Sequence, residues 1–116
     1  MSEFIVIFKA DKIGIMERII EDKLDQLQDL CQKYDVKTMY VFGSASLNDL
    51  NADSDIDILI NFKDISIDKY TDNYFNLHYE LEKLFHRKID LVTENSLSNP
   101  YLIESIEKTK KLLYAA

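Results

Sequence analysis

A chain of 116 residues, 47% hydrophobic and 30% charged, can bury one core but is too short for a second lobe. Its net charge of -7 argues against a protein that grips nucleic acid by neutralising phosphates, because that requires a clustered basic surface. The apolar runs at 4–8 and 56–60 fall far short of the ~18–20 residues of a membrane helix. With no basic region or cleavage site of a secretory signal, a cytoplasmic protein is expected.

Within residues 1–12, an N-terminal arm, Phe4 to Phe8 are all apolar and predict a short strand or irregular segment that is buried or pairs with a partner. Met16, Ile19, Ile20, Leu24, Leu27, Leu30, Cys31 and Tyr34 recur at three-and-four spacing. They predict one amphipathic helix over 13–34, with Glu17, Glu21, Asp25 and Asp29 on its wet side. Cys31, the single cysteine, lies on the apolar face and reads as a small buried hydrophobe. Strands are predicted at 37–42 and 55–62. The segment 44–54 between them is rich in Ser, Asn and Asp and is longer than a hairpin needs, so a short helix and a turn with a functional role are expected there.

A second amphipathic helix is predicted over 68–87 from the stripe Tyr70, Tyr74, Leu77, Leu81, Leu84 and Phe85, which reads as core. Residues 88–92 form a short strand, Asn99-Pro100 punctuates, 101–110 is a third helix, and 112–114 a last edge strand. The order predicts an α/β (α+β) sandwich, a small mixed sheet packed by helices in a single domain over 1–116. His78 reads as a helix-surface or helix-packing residue, and His86 as loop surface or, less often, a phosphate contact near Asp90; no zinc spacing or hydrolytic triad is built from them.

The most informative stretch is Tyr40-Val41-Phe42-Gly43-Ser44, followed after ten residues by Asp55-Ile56-Asp57. A buried strand ending at Gly43 lets backbone approach an anion closely, since glycine lacks a Cβ, and a helix or turn starting at Ser44 offers free N–H donors. Strand alternation puts Asp55 and Asp57 on one face and buries Ile56, Ile58 and Ile60 on the other. Alone, Gly-Ser is usually a turn and Asp-x-Asp a solvated edge. In this order and spacing the two suggest a phosphate cradle beside a carboxylate metal site.

Gly43-Ser44, ten residues, then Asp55-Ile56-Asp57 resembles the signature of the polymerase-β-like nucleotidyltransferases, in particular their minimal nucleotidyltransferase (MNT) branch. The likeness covers roughly residues 15 to 114. Lys88-Ile89-Asp90-Leu91-Val92-Thr93 looks like the later strand bearing the third carboxylate, and Asn99-Pro100-Tyr101-Leu102 like the usual ending. Many relatives carry Arg-Gly where this chain has Leu47 and Asn48. The resemblance implies the polymerase-β-like fold, ATP as substrate and two Mg²⁺ ions held by Asp55, Asp57 and Asp90, with Asp90 also accepting the acceptor's proton. It implies that Gly43 and Ser44 hold the β- and γ-phosphates and that Ser54 steadies Asp55 or a phosphate. MNT proteins of this size resemble antitoxins paired with a HEPN-domain toxin, a ribonuclease. The implied activity is transfer of AMP to a toxin tyrosine, in an oligomer with itself or with that partner. Two other functions stand beside it: a module that covers a toxin without catalysis, and a transferase acting on a small molecule such as an aminoglycoside.

Overall fold

The computed structural model describes residues 15–43 and 55–116. The arm at 1–12, Ser44, Leu47, Asn48 and Ser54 lie outside them. Two helices come first, α1 (Ile15–Asp22) and α2 (Leu24–Lys33), where the sequence predicts one. The chain turns at Lys23 (φ -112°, ψ 11°), which lacks a side-chain cap. Ile20, Leu24, Leu27 and Cys31 all reach the core across this break. The apolar period runs through it unchanged, which is why periodicity does not reveal it.

Strands β1 (Val36–Phe42), β2 (Ile56–Phe62), β3 (Ile89–Thr93) and β4 (Lys111–Ala115) form one mixed sheet in the order β3-β2-β1-β4. β1 is antiparallel to both β2 and β4, and β2 is parallel to β3. A parallel pair needs a crossover, supplied by the long helix α3 (Ile67–Phe85). The last helix, α4 (Pro100–Thr109), begins where Asn99 accepts hydrogen bonds from the Tyr101 and Leu102 amides, with Pro100 in the first turn. The predicted α/β class, mixed sheet, third helix and closing edge strand are therefore all present. Among the described residues no helix is long and apolar enough to cross a membrane.

The main core lies on the sheet face of Met39, Val41, Ile56, Ile58 and Ile60, against Leu24, Leu27 and Cys31 of α2 and Leu77, Leu81 and Phe85 of α3. Burial pushes the Cys31 thiol up to about 12, in keeping with an inert core residue. The opposite face is covered in part: Ile106 of α4 packs against Phe42 and Leu59. β2 is thus apolar on both faces along its middle, from Ile58 to Ile60, and polar at Asp57 near one end and Asn61 near the other.

β3 is an edge strand, and α3 caps its free edge. Tyr74 Oη donates to Leu91 O at 2.6 Å, His78 Nε2 lies 2.7 Å from Ile89 O, and Ile89 N–H donates to Glu82 Oε2 at 3.1 Å. Ser96 Oγ, in the 3-10 turn Glu94–Ser96, donates to Thr93 O. Of the two readings of His78, helix surface or helix packing, the structure shows the second, while His86 ends α3 in a left-handed conformation (φ 53°) and is exposed. The Tyr74 bond sits directly beside Asp90. Tyr74→Phe leaves the Leu91 carbonyl without this donor and is expected to cost about 1 kcal/mol in a urea unfolding measurement.

Candidate active site

The site residues are placed by strand register. Phe42 at the end of β1 pairs with Asp57 of β2, and Asp57 pairs with Asp90 of β3, so the two carboxylates are neighbours on the face that holds Phe42. The chain leaves β1 through Gly43 at φ +68°, a left-handed turn that favours glycine. A Cβ on Gly43 would stand 2.5 Å from Asp57 Oδ2, so the absent side chain is what makes room for the carboxylate.

The electrostatics follow from this crowding. Burial first, then the like charges of Asp90 and Asp55 and a hydrogen bond with Asp90, push the Asp57 carboxyl up from 3.8 to about 6. Burial, followed by the nearby Asp90 charge, also raises Tyr74. Asp55, just before β2, is half exposed and 4.0 Å from Lys88 Nζ. Lys88 is in turn joined to β2 through its carbonyl, which accepts from Ile56 N–H at 3.1 Å.

Of the six predicted site residues, the structure brings together Gly43, Asp57 and Asp90 and puts Asp55 close by; Ser44 and Ser54 lie outside the described residues. Among the described residues no three His, Cys, Asp or Glu side chains are gathered tightly enough to hold one metal ion. The chemistry of the donors nevertheless fits a hard divalent cation. All are oxygens, and the repulsion that raises Asp57 is what a cation between the carboxylates relieves.

The Gly43 N–H donates to Thr109 Oγ1 at 3.0 Å. Thr109 was not among the predicted residues: it lies 66 positions away at a helix end, and no sequence spacing links the two.

A family described as the nucleotidyltransferase domain matches residues 24–113. A Methanocaldococcus jannaschii protein that carries the name protein adenylyltransferase is 42% identical over 82 residues, 70% of this chain and 80% of that protein. Two solved structures share the fold. One, described as a minimal nucleotidyltransferase, superposes with a TM-score of 0.68 at 24% identity over 88% of this chain and 98% of the other. The second is a chain in the complex of a tri-AMPylated Shewanella oneidensis HEPN toxin with an MNT antitoxin, with a TM-score of 0.59 at 21% identity over 84% and 73% of the two chains.

Proposed function

The chain belongs to the nucleotidyltransferase domain family, and from that premise we propose that it is a magnesium-dependent protein adenylyltransferase, the antitoxin of a HEPN ribonuclease. The observation that carries the reading is the pairing of Asp57 with Asp90 on adjacent strands, with the Gly43 turn at the end of β1 against Asp57. The relative named a protein adenylyltransferase supports the transfer of AMP, and the complex of an MNT antitoxin with an AMPylated HEPN toxin supports the partner.

In this reading a tyrosine oxygen of the partner forms a bond to the α-phosphorus of ATP while the bond from that phosphorus to the bridging oxygen breaks, releasing pyrophosphate. Asp55, Asp57 and Asp90 would hold two Mg²⁺ ions. Bound there, magnesium offsets charge on the triphosphate and lowers the pKa of the acceptor hydroxyl. Asp90, at the sheet edge, accepts the proton of that hydroxyl at a carboxylate oxygen. Ser44 and Gly43 hold the leaving phosphates, Gly43 through the close approach that its missing side chain allows, and Ser54 steadies Asp55 or a phosphate oxygen.

The test is label transfer from ATP labelled at the α-phosphate to a co-expressed HEPN partner, with and without Mg²⁺. Magnesium-dependent labelling of a partner tyrosine is expected, with loss of label in the Asp55→Asn, Asp57→Asn double variant. Should that variant still neutralise the toxin while no adenylylated partner is found by mass spectrometry, the chain acts by covering the toxin instead.

A further inference from the structure

The turn at Gly43 is tied to the far end of the chain through one side chain. Gly43 N–H donates to Thr109 Oγ1 at 3.0 Å, and Thr109 Oγ1 donates to Ser105 O at 2.7 Å. With its proton engaged by the carbonyl one helical turn back, the hydroxyl accepts from the Gly43 amide through a lone pair. Thr109 is the last residue of α4, and that helix is itself anchored where Ile106, 1% exposed, packs on Phe42 and Leu59. Immediately beyond, Lys110 N–H donates to Ile106 O at 2.8 Å and β4 begins, pairing Lys111 with Val41. The end of α4, the start of β4 and the exit of β1 therefore meet at one corner.

We propose that Thr109 is the positioning residue of the Gly43 turn: by holding the Gly43 amide it fixes the left-handed turn beside the Asp57 carboxylate and the direction in which the chain leaves toward Ser44. What the turn binds rests on the adenylyltransferase reading; the tether itself does not. The tolerance is small, because even a methyl group on Gly43 would lie 2.5 Å from Asp57 Oδ2. A displacement of about 1 Å at a reacting site is enough to cost up to about 100-fold in rate.

Thr109→Val keeps the side-chain shape and removes the acceptor, whereas Thr109→Ser keeps the acceptor. Each variant is compared with the full wild-type chain in AMP transfer to the HEPN partner, in binding of Mg²⁺ with a non-hydrolysable ATP analogue, and in hydrogen exchange at the Gly43 amide by NMR. Thr109→Val should raise KM for ATP about tenfold with kcat changed less, weaken analogue binding in parallel, and speed Gly43 exchange about tenfold. Thr109→Ser should stay within about twofold on all three. Unchanged Gly43 exchange, or an unchanged KM, in a folded Thr109→Val protein overturns the assignment. Equal losses in both variants, tracking a lower melting temperature, also overturn it, since they mark a general packing role. A wild-type chain that neither binds the analogue nor transfers AMP overturns the adenylyltransferase reading, and the role in nucleotide positioning with it; that failure is distinguished by appearing without any mutation.

Discussion

Asp57→Asn is expected to abolish AMP transfer and yet make the metal-free protein more stable at neutral pH. Asp57 is half-buried beside Asp90, and folding raises its carboxyl from 3.8 to about 6. Between those values the folded state holds more protons on this group than the unfolded chain does, so stability falls as pH rises. The loss is complete above about pH 6, and the contribution is fully restored below about 3.8. The displacement sets a ceiling of about 3 kcal/mol, and solvent screening of a partly exposed group lowers the expected effect to about 1 kcal/mol. A neutral asparagine removes the burial of a charge and then its repulsion by Asp90 and Asp55, so the variant should melt about 3–6 °C above wild type at pH 7.5 without metal. The difference should vanish near pH 4. Catalysis moves the opposite way, because a lost carboxylate ligand removes several kcal/mol of transition-state stabilisation, about 100-fold or more in rate. Calorimetry across pH in the presence of chelator checks the first claim. A variant that is no more stable than wild type at pH 7.5 would show that folding does not disfavour the Asp57 charge.

Gly43→Ala carries the other large effect. The backbone at φ +68° costs an alanine about 1–2 kcal/mol. The new methyl also meets Asp57 Oδ2 at 2.5 Å, so that the carboxylate or the turn must shift. Total destabilisation of about 2–3 kcal/mol is expected, with AMP transfer reduced by about 100-fold. The two causes separate in a double-mutant cycle. Asp57→Ala deletes the colliding oxygen but keeps a Cβ that lies 3.8 Å from the added methyl, an ordinary contact. In that background Gly43→Ala should cost about 1 kcal/mol less. Strictly additive unfolding energies would mean that glycine is needed for the turn alone.

The sequence made the site more legible than its supports. Gly43 and the aspartates could be read because strand alternation and a fixed spacing act over short stretches, and register carries that order into the sheet. The third carboxylate, Asp90, was reached by family resemblance and not by spacing, since its neighbour Asp57 lies across a crossover helix. Thr109, Tyr74 and the break at Lys23 left no periodic trace. The first two act through single hydrogen bonds between distant segments, and the third sits inside an unbroken apolar repeat. Leu59 shows the same limit: alternation puts it on the aspartate side, yet it is buried because α4, a helix more than forty residues later, covers that side.

The capped margin of β3 bears on how another protein can be met. The carbonyls of Ile89, Leu91 and Thr93 and the Ile89 N–H, which an incoming extended peptide would use, are already engaged by side chains of this chain. Strand addition on that side finds its acceptors taken. Lengthening of the sheet, whether by a binding segment or in aggregation, is therefore disfavoured next to the aspartates, and the approach to them stays open to an acceptor that arrives as a folded surface.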